Sequence, residues 1–188
     1  MSGKGKKSTP HVHECKTAAK TRIFHIQEMD IEFSNGTRVT YERVKSSENG
    51  AVLVVPMRDP DTVLLIREYA AGVERYELAL PKGKVENNED LLLAANREIK
   101  EEIGHGANKL THINSVTLAP GYISHTTHII LAEDLYPERE EGDEPEELEV
   151  VPWSLSELDR LFSHAECTEA RSIAALYMVR DLLDKRLR

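Results

Sequence analysis

GKVENNEDLLLAANREIKEEIG, the stretch from Gly83 to Gly104, holds the densest chemistry of the chain in Arg97-Glu98-Ile99-Lys100-Glu101-Glu102. A helix over Asp90 to Ile103 places Leu92, Ala95, Ile99 and Ile103 on one apolar stripe. The same helix puts Glu98, Glu101 and Glu102 at i, i+3 and i+4, so three carboxylates share a face beside that stripe. Glu102 lies nearest the stripe, where water is scarcest. Like charges at this spacing repel by about 0.2–0.5 kcal/mol per pair, and a bound cation reverses that cost. With no His or Cys among the donors, the set is hard oxygen chemistry and suits magnesium, manganese or calcium better than zinc.

An acidic helix face taken alone is more often simply solvated. The flanking positions decide otherwise. The stretch resembles the Nudix box: a glycine, five residues, Glu, seven residues, then Arg-Glu-apolar-x-Glu-Glu-x-Gly-apolar. Gly83, Glu89, Arg97, Glu98, Ile99, Glu101, Glu102 and Gly104 all fall in place, and only the last apolar position departs, as His105. The resemblance implies a loop-helix-loop that binds a divalent metal, usually magnesium with manganese able to substitute, and cleaves a diphosphate joined to another moiety. It assigns the metal to Glu98 and Glu102, with Glu101 as a further direct or water-mediated ligand and the Lys82 carbonyl as an addition. Glu89 and Arg97 become a structural pair. A guanidinium at such a position orients carboxylates through its fixed, bidentate fork. Gly83 and Gly104 relax the backbone where the chain enters and leaves the helix.

A chain of 188 residues has room for one well-buried core with additions. Its net charge of -9 disfavours general binding to nucleic acid or anionic membranes, which select basic surfaces. A small anionic substrate remains compatible if metal neutralises it. Cys15 and Cys167 form no ligand spacing, no apolar run reaches membrane-spanning length, and the basic start of the chain is not followed by an apolar stretch. A cytoplasmic protein is expected.

Taken in order, residues 1–16 lack periodicity and read as a mobile basic tail, in which His11 and His13 are expected to do nothing. Residues 17–47 read as an N-terminal β subdomain: strands at Ile23 to Ile26 and Met29 to Phe33, a turn at Asn35-Gly36, and a strand from Thr37 to Val44. Such a hairpin is marginal alone and must pack on the domain or on a second subunit. Residues 48–188 read as the main domain. Ala51 to Val55 and Thr62 to Ile66 are core strands, and Tyr76 to Lys82 is a further strand that Pro81 stiffens as it delivers the chain to Gly83. Arg67, where the second core strand ends, is a candidate for substrate phosphate; the alternative is an ion pair with Glu68 or Glu77. Strands follow at Leu110 to Ala119 and Thr127 to Leu135, with His125 and His128 read as loop histidines. After the acidic segment Glu138 to Glu149, a strand at Val150 to Trp153 closes the sheet. Ser154 with Glu157 offers a capping box, and an amphipathic helix starts near Thr168.

The resemblance extends from about Ala19 to Arg180, through Asp30 to Gly36, Leu65 to Ala70, Gly104 to Asn108 and Glu141 to Glu146, to the ADP-ribose pyrophosphatase branch of the family and its bacterial hydrolases of ADP compounds. It implies an α/β/α sandwich with a mixed sheet, preceded by an N-terminal β-hairpin that mediates a homodimer. The implied substrates are ADP-ribose, diadenosine polyphosphates and NADH, with AMP among the products. Phe24 and Arg38 become candidates for base stacking and for a polar or phosphate contact, against a core aromatic and a solvated cation. A Glu outside the helix assists water: Glu146, with Glu144 next. Two other functions share these motifs. One is a noncatalytic nucleotide sensor, which the intact Glu98, Glu101 and Glu102 argue against. The other is a pyrophosphatase that sanitises nucleoside triphosphates, which needs no N-terminal hairpin.

Overall fold

The computed structural model describes residues 8–186. In chain order the strands are β1 (His11–Lys20), β2 (His25–Glu32), β3 (Arg38–Lys45), β4 (Ala51–Pro56), β5 (Thr62–Ala70), β6 (Arg75–Ala79), β7 (Lys82–Lys84), β8 (His105–Thr117), β9 (Ile123–Ser124), β10 (Thr126–Pro137) and β11 (Glu149–Ser154). The helices are α1 (Leu91–Ile103), α2 (Leu158–Phe162) and α3 (Ala170–Arg186). The chain forms two compact units. One holds the residues up to Glu48 together with Thr117–His125, and the other holds Asn49–Val116 with the chain from Thr126 onward.

The first unit is a four-stranded sheet in the order β1-β2-β3-β9. β1 to β3 run antiparallel as a meander, and β9 pairs parallel with β3 through Val44 and Ile123. The β2–β3 turn falls where Asn35-Gly36 predicts it, with Gly36 at φ 79° and the Phe33 amide donating to the Thr37 carbonyl at 2.9 Å. Two expectations need correction. The segment from His11 to Lys16 is not a loose arm but most of β1, registered from His11 opposite Glu32 to Lys20 opposite His25. All ten residues of β1 are exposed, so the strand lacks the apolar alternation that betrays a half-buried strand. Cross-strand pairs hold it instead, Lys16 to Glu28 at 2.6 Å and His13 to Glu32 at 2.7 Å. Residues 1–7 of the expected tail lie outside the described residues. Secondly, Ile23 and Phe24 belong to the β1–β2 turn rather than to a strand. There the Phe24 amide donates to Thr21 Oγ1 at 2.9 Å.

In the second unit, β4 and β10 run parallel at the centre of a sheet ordered β7-β4-β10-β8, and β11-β5-β6 form an antiparallel sheet. Central strands buried on both faces read as continuous apolar runs, as Val52 to Val55 and Ile129 to Ala132 do. Their side chains alternate between two cores. Val52, Val54, Leu64, Ile66, Ile130 and Ala132 pack with Ala95, Ile99 and Ile103 of α1. Leu53, Val55, Val63, Leu65, Ile129 and Leu131 pack with Leu158 and Leu161 of α2 and Leu176 and Val179 of α3. The result is the α/β/α sandwich with mixed pairing. Ser154 does not form a capping box with Glu157. It accepts from the Ser156 amide at 3.2 Å and starts a 3-10 turn, Leu155–Glu157, ahead of α2. Among the described residues no helix is long and apolar enough to cross a membrane.

Candidate active site

The site is built on α1 and the two segments that flank it. Asp90 caps the helix, its Oδ1 accepting from the Leu92 amide at 2.8 Å and the Leu93 amide at 3.3 Å. Gly104 ends it in the left-handed region at φ 68°, donating its amide to the Ile99 carbonyl. The apolar stripe then turns Glu98 and Glu102 inward, so that they are 8% and 5% exposed.

Arg97 organises the segment between β7 and the helix. Its Nε donates to Glu89 Oε1 at 3.0 Å and its Nη2 to Glu89 Oε2 at 3.1 Å, a bidentate fork, and Nη2 also reaches the Lys84 carbonyl at 3.1 Å. Glu89 in turn accepts from the Glu86 amide at 2.9 Å. The remaining arm of the guanidinium, Nη1, donates to Glu98 Oε1 at 2.8 Å and stands 3.5 Å from both oxygens of Glu101. One cation therefore fixes the loop and aims two of the helix carboxylates, as the expected Glu89–Arg97 pair requires. The hydrogen bond from Arg97 holds the Glu89 carboxyl below its usual range.

Glu98 and Glu102 go the other way. Burial raises the Glu98 carboxyl, with the Arg97 charge opposing. Burial pushes Glu102 from 4.5 up to about 8 although the Lys82 charge and amide both favour its ionised form. The Lys82 amide donates to Glu102 Oε2 at 3.0 Å, while the Lys82 ammonium is paired with Glu68. Gly83 has the Glu98 carboxylate directly against it. A Cβ there would stand 1.9 Å from Glu98 Cδ, so only glycine admits this packing.

Above these groups opens a cleft of about 700 Å³ lined by Lys82, Gly83, Lys84, Glu86, Arg97, Glu98, Glu101 and residues 141–144. Among the described residues, no three His, Cys, Asp or Glu side chains stand close enough to enclose a cation as they are placed. Arg97 engages Glu98, and the Lys82 amide engages Glu102. The donor set still fits a hard divalent ion. It offers two buried carboxylates whose shared negative charge burial disfavours, with Glu101 beside them on the cleft wall, and a cation relieves that penalty.

The acidic segment, residues 138–148, is rooted on the end of α1. The Glu138 amide donates to the Gly104 carbonyl at 3.1 Å and the Glu140 amide to the Lys100 carbonyl at 3.3 Å. Lys100 Nζ binds Glu138 at 2.9 Å and Glu140 at 3.0 Å. Beyond this root the segment has no regular structure until Leu148 is buried against the α1 core. Glu144 lines the cleft, where burial, Glu68 and Asp143 raise its carboxyl. Glu146 lines an adjoining hollow of about 470 Å³ that shares Glu101 and Glu144 with the cleft. Its Oε1 accepts a hydrogen bond from Tyr76 Oη at 2.8 Å.

The proposed substrate contacts are each engaged within their own unit. Arg67 is paired with Glu149 at 3.2 Å and Glu166 at 3.3 Å, not with the expected Glu68 or Glu77, and it is not among the cleft-lining residues. In the first unit, Arg38 is forked onto Asp30 of the neighbouring strand, its Nε 2.8 Å from Oδ1. Phe24 is 53% exposed at its turn and is not a core aromatic. Sequence reasoning missed Lys100, Tyr76 and the Lys82–Glu68 pair. Lys100 could have been found as the cation that the run Arg97 to Glu102 turns away from its carboxylates, but Tyr76 and Glu146 lie 70 residues apart and carry no local signal.

Residues 48–175 match the NUDIX domain, and residues 10–43 match the NudE-type Nudix hydrolase N-terminal domain. The chain is 45% identical to the ADP compounds hydrolase NudE of Escherichia coli over 174 residues, covering 93% of each protein. It is 33% identical over 170 residues to an ADP-ribose pyrophosphatase of Bacillus subtilis, covering 87% of this chain and 91% of that one. A crystal structure of an ADP compounds hydrolase superposes with a TM-score of 0.90 at 44% identity, covering 96% of this chain and 97% of that one. The box geometry and these likenesses agree: the chain belongs to the Nudix hydrolase family.

Proposed function

We propose that this chain hydrolyses the diphosphate linkage of ADP-containing compounds, with ADP-ribose, diadenosine polyphosphates and NADH as the substrate class and AMP as a product. Nudix hydrolases depend on divalent metal, and we assign Mg²⁺ here, with Mn²⁺ able to substitute. The observation that carries the reading is the buried pair Glu98 and Glu102, 8% and 5% exposed, of which Glu98 lines an open cleft and Glu102 is pushed to about 8 by burial. A carboxyl so placed is ready to exchange its proton for a cation. The names of the relatives, an ADP compounds hydrolase and an ADP-ribose pyrophosphatase, support the substrate class.

Glu98 and Glu102, with Glu101 and the Lys82 carbonyl, would hold the metal, which supplies charge stabilisation at the phosphoryl oxygens and a more acidic water. Arg97 keeps Glu98 and Glu101 aimed. Lys84, on the cleft wall, is placed to offset substrate phosphate charge. Glu146 accepts the proton of the attacking water, a task poorly suited to carboxylates engaged by a cation, whose basicity is lowered. Glu144 is the neighbouring alternative. Phe24 offers an exposed face for a base. The chain acts as a homodimer through the first unit, where Val12, Tyr41 and Tyr122 are 44%, 45% and 61% exposed around an apolar groove. It works in the cytoplasm, in keeping with its two free cysteines.

The test is a hydrolysis panel with ADP-ribose, diadenosine polyphosphates, NADH and nucleoside triphosphates, with products identified by chromatography. Magnesium-dependent release of AMP from ADP compounds is expected. Turnover confined to triphosphates, or full turnover in excess chelator, would overturn the reading.

A further inference from the structure

Tyr76 has no part in the reaction as assigned so far, yet it makes a side-chain hydrogen bond to the irregular acidic segment at Glu146. Its Oη donates to Glu146 Oε1 at 2.8 Å. The two ends of this bond differ in rigidity. Tyr76 stands on β6, and the residues on either side of it are pinned to the same threonine ahead of α3. Arg75 Nη2 donates to Thr168 Oγ1 at 2.9 Å, and Glu77 accepts from the Thr168 amide at 3.0 Å. The next amide along the strand, Leu78, donates to the Glu166 carbonyl at 2.7 Å. The ring itself lies edge-on to Tyr69, 5.6 Å between centroids. Glu146, by contrast, lies in a stretch without regular structure that Gly142 and Pro145 interrupt.

A proton acceptor on such a stretch has many rotamers and backbone states, few of which face an attacking water. Fixing it in advance removes that entropy from the reaction step. We infer that Tyr76 is the positioning residue for Glu146, holding the loop carboxylate in the hollow that shares Glu101 and Glu144 with the cleft. This rests on the proposed role of Glu146. Tyr76 touches neither substrate nor metal in this role. It acts through the carboxylate, as a third group orients the base in other catalytic constellations.

The experiment compares Tyr76→Phe, Glu146→Gln and the double variant on ADP-ribose with magnesium, with amide exchange of residues 143–147 followed in metal-free protein. Phenylalanine keeps the ring against Tyr69, so β6 packing is preserved. Tyr76→Phe is expected to lower kcat roughly tenfold, about 1.4 kcal/mol, with KM within about twofold. Exchange at residues 143–147 should quicken, and the double variant should be no slower than Glu146→Gln alone. A purely structural tyrosine would lower stability without this kcat-specific loss or the non-additivity. A normal kcat in Tyr76→Phe alongside a crippled Glu146→Gln, unchanged exchange, or effects that multiply in the double variant would overturn the positioning role while the base assignment stands. A wild-type rate in Glu146→Gln would instead remove the base assignment and the inference with it.

Discussion

Gly83 lies against the carboxylate of Glu98 so closely that a methyl group at position 83 would stand 2.0 Å from either carboxylate oxygen. The contact ties the strand leading into the box to a proposed metal ligand two turns into the helix. Gly83→Ala must push Glu98 out of its place between Gly83 and Arg97. We expect magnesium affinity to fall by about 10–100-fold, as when an outer partner of a metal ligand is lost. Titration calorimetry with magnesium measures it, and an unchanged affinity would show that Glu98 does not need this packing to bind the ion.

Glu102 gives the metal-free protein an unusual pH dependence. Its carboxyl titrates near 4.5 when unfolded and at about 8 when folded. Between these values the folded chain holds the extra proton, so the contribution to stability is complete below the lower value and is lost as pH rises through the upper one. Glu102→Gln removes the titration. In excess chelator the variant should melt on the order of 5–10 °C above wild type at alkaline pH, and the gap should close as pH falls toward about 5. The same variant should lose metal-dependent turnover. A melting difference that is constant across pH would mean that Glu102 is not the buried, proton-holding group described.

The box was legible because its signals are local. The Leu92 to Ile103 stripe and Gly104 at the end follow from spacing along one helix and its exit, and the Glu89–Arg97 pair from the motif the helix carries, whereas Asp90 stands outside the helix as its cap. What escaped the sequence was set by the absence of pattern or by distance along the chain. β1 shows no alternation because all its residues are exposed. Of the two partners expected for Arg67, Glu77 lies on the next strand and Glu68 is its chain neighbour, yet successive residues of a strand point to opposite faces. Its actual partners come from the facing strand, where Glu149 is in register with Arg67, and from Glu166, far along the chain. Tyr76 was hidden for the same reason, since only the folded β5–β6 pair brings its hydroxyl to the acidic segment.

The N-terminal sheet presents Val12, Tyr41 and Tyr122 around a groove of about 380 Å³ that half-buried Met29, Ile31 and Phe33 also line. Apolar surface of this kind is expected to be covered by a second copy of the chain. Sedimentation at micromolar concentration should give twice the 21.2 kDa chain mass. Tyr41→Glu, which sets a charge in the groove without entering either core of the second unit, should give the single-chain mass. A wild-type monomer would remove the dimer, and a dimeric Tyr41→Glu would move the interface elsewhere.

The choice between Glu146 and Glu144 as proton acceptor turns on orientation against proximity. Glu144 lines the cleft itself, while Glu146 sits in the adjoining hollow under the Tyr76 hydroxyl. The hollow and the cleft share Glu101, Glu141, Gly142 and Glu144 as walls, so a carboxylate held in the hollow by Tyr76 adjoins the cleft without leaving that hydroxyl. Orientation is the scarcer property on an irregular segment, so Glu146→Gln should lower kcat by about a hundredfold to ten-thousandfold with little change in KM. Glu144→Gln and Glu147→Gln should cost far less. Steady-state kinetics on ADP-ribose across the three variants decides the matter. If Glu144→Gln does the greater damage, the base lies two residues nearer the cleft, and if all three turn over at the wild-type rate, the acidic segment has no part in activating water.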